Sequence, residues 1–367
     1  MEVLDTLRSG WLTTGPKASR FEVEFARKVD APAALAVSSG TAALHLGLLT
    51  AGIGPGDEVV TTTLTFAASV NVIEHVGAKP VLVDVDEDTL NLSVEAVASA
   101  LTPRTRALLP VHFGGHPVDL PALRAMADAS GCTLIEDAAH AFPAGMQGRR
   151  IGCGSNPVAF SFYATKNLTT GEGGMLTGSE DVVSRARSLA LHGMSRDAWN
   201  RYGPEGRWQY EIREAGWKYN LSDLQAAIGL AQLRKIDGFQ QRRRDIAFTY
   251  TAAFSGHRAL VTPVERPDVE HAWHLYVLRL RPGTLRIDRD RFIAELTERN
   301  IGTSVHFIPI HLHPYFRDKY GYTTTDFPVA YDNYRRMLSL PLHPALSDQD
   351  VEDVIAAVLD VAEVNAR

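Results

Sequence analysis

An alternation constrains this chain more than any other feature. Through its first two-thirds, short apolar runs take turns with amphipathic helical segments. "DEVVTTT" is followed by "FAASVNVIEHVG", "KPVLVDVD" by "SVEAVASAL", and "RALLPVHF" by "LPALRAMADASG"; then come "CTLIEDA" and "VAFSFYA". Short β-branched runs bounded by turn residues read as buried strands, and the segments between them carry helical spacing. A strand apolar on both faces has to be covered on both. This order therefore predicts an α/β fold with a mostly parallel sheet between helical layers. Such sheets place ligands in the crevice beyond the carboxyl ends of their strands, so the chemistry is to be sought where the runs end.

Past residue 220 the texture changes. "LSDLQAAIGLAQLRKIDGFQQRRRDIAFTYTAAF" reads as one long helical pattern, followed by "HAWHLYVLRL", "RDRFIAELTERN" and "TSVHFIPI". A final helix is opened by Ser347, whose "SDQD" has the Ser-x-x-acid pattern of a capping box. The reading is a large domain over 1–245, holding the N-terminal segment and the linking helix, and a smaller C-terminal α+β domain over 246–367. With 367 residues, 45% of them apolar, the chain is long enough for two cores.

Several function classes are excluded at this level. The net charge of −6 gives no basic face for a nucleic acid. No stretch approaches the roughly 20 apolar residues of a membrane span, and "DVEDVIAAVLDVAEV", the most apolar helical run, is broken by acids. The start, "MEVLDTLRSGW", shows no apolar signal segment, and two cysteines, Cys132 and Cys153, suit a reducing compartment; a cytoplasmic location is expected. No metal is expected, because the cysteines lack metal-ligand spacing and no HExxH pattern occurs.

Two run ends stand out. Lys166 closes "VAFSFYATK", and a lysine at the mouth of a buried strand costs desolvation unless something engages its amine. Asp137 closes "CTLIEDA". A lysine amine and a buried carboxylate facing one crevice are the two protein groups pyridoxal 5'-phosphate needs, one to form a Schiff base and one to keep the pyridine nitrogen protonated. "SSGTAALHLGLL" supplies a phosphate cup, with Ser39, Gly40 and Thr41 immediately before a helix whose free N–H groups bind anions. Ser161 adds a hydroxyl, and Phe66 falls where it can stack on a ring. Each piece has a plainer reading: a solvated lysine, a capping aspartate, an ordinary N-cap, a core phenylalanine. Their arrival on one rim is what carries the cofactor reading.

The stretches "GWLTTGPKASRFE", "SSGTAALHLGL", "GDEVVTTTLTFAAS", "VLVDVDEDTLNL", "IEDAAHAFPA", "FSFYATKNLTTGEGGM", "GWKYNLSDLQAAIGLAQL" and "GTSVHFIPIHLHPYF" extend over nearly the whole chain. In them the chain resembles the DegT/StrS-type sugar aminotransferases, pyridoxal phosphate enzymes of fold type I. The resemblance implies that Lys166 carries the cofactor, Asp137 contacts its pyridine nitrogen, and His140 lies beside the ring hydroxyl where many members have Gln. It implies that Gly40, Thr41 and Ser161 bind the phosphate, that Phe66 covers the ring, and that Lys218 and Asn220 reach across a homodimer interface toward the partner's cofactor. It also implies a ping-pong transfer from L-glutamate, released as 2-oxoglutarate, to a keto carbon of a nucleotide-linked sugar. The "SVHFIPIHLHPYF" and "KYNLSD" variants lean toward the 4-keto carbon of a 6-deoxyhexose. Candidates for the sugar nucleotide are Arg20, Arg201, Tyr202, His306 and His311. Amination of a keto-cyclitol stays open as an alternative. A sugar 3-dehydratase, which has His at the lysine position, and a non-catalytic cofactor-binding regulator are less favoured, since Lys166 and Asp137 are both present.

Overall fold

The computed structural model describes residues 1–194 and 210–367. The strand runs form one continuous sheet. Lys79–Val83, Glu58–Thr62, Thr105–Leu109 and Thr133–Leu134 lie side by side in that order, all parallel. The chain passes Ile135 and continues as Glu136–Asp137, which pairs in parallel with Val158–Ser161. Gly174–Gly178 then runs antiparallel between Val158–Ser161 and Ala33–Val37. The N–H groups of Ile135 and Asp137 donate to Leu108 and Pro110, each at 2.9 Å, so the ladder carries through the junction.

Burial explains the composition of these strands. Every residue of Glu58–Thr62 is buried, as a strand covered on both faces requires. On one side Phe21, Phe25 and Val29 recur along helix Pro16–Val29 and meet Phe142, Phe160 and Phe162. On another, helix Gly40–Thr50 packs Leu44, Leu46 and Leu48 among Val37, Ile135 and Leu176. That helix has no polar face because it is enclosed on all sides.

The smaller C-terminal unit is an antiparallel sheet of Leu260–Val261, Tyr276–Leu280 and Met337–Leu340. Helices Arg289–Glu298 and Asp348–Val364 cover it, and its core gathers Tyr250, Phe254, Tyr276, Phe292 and Val358. Truncating one such aromatic to Ala costs about 3–5 kcal/mol. Ser347 and Asp350 form the capping box expected at the last helix.

The run after residue 220 is two helices, not one. Asp223–Leu233 ends where the Lys235 N–H turns back to the Gln232 carbonyl at 2.9 Å, a tighter closure than the α-helical bond. Ile236–Phe254 then starts in the core of the large sheet with Ile236 and finishes in the core of the small one with Tyr250 and Phe254. A division at 246 falls inside this helix. A further apolar cluster joins Leu64, Val70 and Phe113 to Leu275, Val277 and Ile310, and so fixes the small unit against the rim of the large sheet. Among the described residues no helix is long and apolar enough to cross a membrane.

Candidate active site

A cavity of about 490 Å³ opens at the carboxyl ends of Ala33–Val37, Glu58–Thr62, Glu136–Asp137 and Val158–Ser161. Ser39, Gly40, Thr41, Phe66, Asp137, His140, Ser161 and Lys166 all line it, as the sequence leads one to expect. His306, a candidate for the sugar, lines it too.

Lys166 follows the strand Val158–Ser161 in a turn closed by its own N–H donating to the Tyr163 carbonyl at 2.9 Å. Its amine has no hydrogen bond or ion pair among the described residues. Burial lowers it from the ordinary 10.5 to about 8, with the charge of Asp137 pulling the other way. Asp137 is fully enclosed: Oδ2 accepts from Ser69 Oγ at 2.7 Å, and Oδ1 from the Ala139 N–H at 3.0 Å. Burial pushes this carboxyl up, while the two hydrogen bonds and the lysine's charge favour its ionised form. Ser69 Oγ lies 2.8 Å from Thr65 Oγ1. With its one proton given to Asp137, Ser69 has to accept from Thr65.

The anion cup is built by close approach. Ser39 caps helix Gly40–Thr50, its Oγ accepting from the Ala42 N–H at 3.0 Å. The N–H groups of Gly40 and Thr41 open the helix and have no intrahelical acceptor. A Cβ at Gly40 would sit 2.9 Å from that of Ser161, and one at Gly174 would sit 2.5 Å from the Ser39 carbonyl carbon. Both glycines let the strand ends and the helix start share one spot.

The remaining wall is aromatic. Phe66 is 61% exposed and faces Phe307 across 5.9 Å between ring centroids. His140 lies 5.8 Å from Phe307 and 4.4 Å from His274. Burial drives His140 and His274 well below the usual imidazole range and His306 below it, and the lysine's charge adds to this for all three. All three are thereby held toward the neutral form. His140 Nδ1 is buried without a partner among the described residues.

Other expected residues lie elsewhere. His311 does not line the cavity: it is wholly buried, with Nδ1 at 2.7 Å from Thr63 Oγ1 and its ring against Phe327, so it packs the core. Arg20 is likewise absent from the cavity wall, its guanidinium held by Glu2 at 2.7 Å and Glu24 at 3.3 Å. Lys218 and Asn220 bond to each other at 2.5 Å outside the cavity of their own chain, and Asn220 Nδ2 donates to Thr14 Oγ1 at 2.6 Å. Arg201 and Tyr202 lie outside the described residues. Ser69 and His274 line the cavity, with Asn167 behind His274, and the sequence reading does not reach them. The spacing of Ser69 from Phe66 on one helix turn was a usable signal; Asn167 and His274 meet only through the fold.

This sheet, with its lysine and aspartate at neighbouring strand ends, is that of the fold type I transferases. The DegT/DnrJ/EryC1/StrS aminotransferase family matches the chain over residues 1–359, and the chain belongs to that family. It is 52% identical over 364 residues to the spore coat polysaccharide biosynthesis protein SpsC of Bacillus subtilis, covering 99% of this chain and 94% of that one. The PLP form of Streptococcus pneumoniae Spr1654 superposes with a TM-score of 0.91 at 34% identity, covering 99% and 95% of the two chains. The sugar aminotransferase CalS13 from Micromonospora echinospora gives 0.87 at 31% identity, covering 98% and 95%. The chain is a sugar aminotransferase.

Proposed function

We propose that the cavity holds pyridoxal 5'-phosphate and moves an amino group from L-glutamate to a keto carbon, C4 by our reading, of a nucleotide-linked deoxysugar. The observation that carries this is the joint presence of an unpaired lysine amine, a buried carboxylate and an open helix N-terminus on one cavity wall. The residues fit the cofactor on their own geometry. At Gly40 and Thr41 the open N–H groups of the helix start lie beside Ser161, which suits an anion such as a phosphate. The buried, unpartnered Nδ1 of His140 awaits a polar neighbour, as a ring hydroxyl would supply. The PLP form of Spr1654 supports the same group, and the name of the Bacillus relative supports a sugar acceptor.

Bound there, the cofactor supplies an electron sink for the carbon that carries the amine. The chain's own residues do the rest. Asp137, its carboxylate oriented by Ser69 and Ala139, would hold the protonated ring nitrogen. Lys166 would serve as the base that moves a proton at the reacting carbon, a task for its neutral form, which burial favours. The neutral histidines and the phenylalanines keep water and competing charge from the wall. Donor and acceptor use one cavity in turn, hence a ping-pong order. Lys218 and Asn220, turned away from their own cavity, support a homodimer in which they serve the partner's phosphate. Two free thiols support a cytoplasmic location.

The test is a cofactor absorbance spectrum followed through two additions. L-Glutamate is expected to bleach the visible band, and after its removal one of a panel of nucleotide-linked 3-keto and 4-keto sugars to restore it. A band that glutamate leaves unchanged refutes the proposed donor. A bleached band that only a keto-cyclitol restores replaces the acceptor.

A further inference from the structure

His274 lines the cavity and Asn167 lies buried behind it, a pair that the steps above leave without a task. Asn167 Nδ2 donates to the Ala272 carbonyl at 2.7 Å, which fixes the amide's orientation. Its Oδ1 then points at His274 Nδ1, 3.1 Å away, and an amide oxygen only accepts. The proton of His274 therefore sits on Nδ1. A neutral imidazole has one donor and one acceptor nitrogen, so Nε2 is a bare lone pair. Burial above all, with the charges of Lys166 and Arg243 adding to it, opposes a second proton. The ring lines the cavity two residues before strand Tyr276–Leu280 of the small unit, 4.4 Å from the ring of His140.

A lone-pair acceptor distinguishes the two substrates that share this cavity. L-Glutamate brings carboxylates, which only accept at neutral pH, and its one donor, the α-amino group, is committed to the reaction at the cofactor. A carboxylate oxygen against His274 Nε2 would leave two acceptors facing each other in a desolvated place. A sugar brings O–H groups, and one of them satisfies the nitrogen. We propose that His274, held by Asn167 in its Nδ1–H form, accepts a hydrogen bond from a hydroxyl of the sugar acceptor and so sets the enzyme's preference for sugar in the second half of the reaction. This rests on the sugar aminotransferase reading, in which the two halves can be timed separately. Sites built to pair a substrate hydroxyl discriminate strongly, because their own polar group is otherwise left unpaired.

The experiment compares second-order rate constants of the two halves in the cofactor-loaded enzyme, by stopped-flow absorbance with L-glutamate and with the panel sugar that restores the wild-type band. His274→Asn keeps an amide nitrogen where Nδ1 was and removes the acceptor. His274→Gln reaches the Nε2 position with an amide. The acceptor-to-donor ratio should fall at least about tenfold in His274→Asn and return to within about threefold of wild type in His274→Gln. Asn167→Asp leaves the ring in place but draws a second proton onto it, turning the lone pair into an N–H, and should lower the ratio in the same direction. Equal losses in both halves, or an unchanged ratio in His274→Asn and Asn167→Asp, overturns the proposal while the sugar reading stands. A wild-type band that no panel sugar restores overturns both.

Discussion

Replacing Lys166 by Met should stabilise the cofactor-free protein, and by an amount that depends on pH. The amine falls from 10.5 to about 8 on folding because burial disfavours its charge. At 1.36 kcal/mol per pH unit that is a cost of about 3 kcal/mol to the folded state. Solvent reaching the amine through the cavity trims the figure. The sign follows from proton counts: between pH 8 and 10.5 the unfolded chain holds the lysine's proton and the folded one sheds it, so stability rises with pH across that window. Below it both states are protonated and the whole cost is present; above it neither is and the cost is gone. Lys166→Met removes the titration. Urea unfolding of both proteins without cofactor, at one protein concentration and at pH 7, 9 and 10.5, should show the variant ahead by about 2–3 kcal/mol at pH 7 and level at pH 10.5. Other titrating groups cancel in the difference. A variant less stable at pH 7, or a gap that does not close with pH, would refute the reasoning that the cavity itself depresses this amine.

Two further expectations concern the assembled site. Asp137→Asn keeps the Ala139 hydrogen bond and buries no charge, so the melting temperature should hold while turnover drops by about 10²–10³, the usual effect of removing one preorganised electrostatic partner; unchanged turnover would remove the ring-nitrogen role. Chains carrying Lys166→Ala and chains carrying Lys218→Ala, each weak alone, should regain about a quarter of wild-type activity when mixed and re-associated, because one site per mixed dimer is then intact. No recovery on mixing would place Lys218 in its own chain's site.

Much of this was legible beforehand because strand ends are local facts. The period of "CTLIEDA" and "VAFSFYATK" puts Asp137 and Lys166 at carboxyl ends, and a parallel sheet brings such ends together without further information. The glycine before "TAALHL" marks the helix start in the same way. What escaped depends on contacts between distant segments. Nothing near Arg20 announces that Glu2 will claim it, and nothing near His311 announces that Thr63 will bury it. Asn167 and His274 are 107 residues apart and become a pair only once the small unit is docked. The helix break before Ile236 was hidden because apolar spacing continues on both sides of it; the interruption is a single backbone turn.

The helix Ile236–Phe254 has one end in each core. That makes the two units poor candidates for exchange between relatives. A splice at any point along the helix strands half an apolar stripe, either Ile236 away from its phenylalanines or Tyr250 and Phe254 away from theirs. An engineer who wished to transplant the wall that carries His274, His306 and Phe307, and with it a different sugar preference, would have to graft the helix whole and rebuild the packing at its first turn. Recombination in nature faces the same seam, so new acceptors in such a scaffold are more readily reached by point changes on the wall than by shuffling its halves.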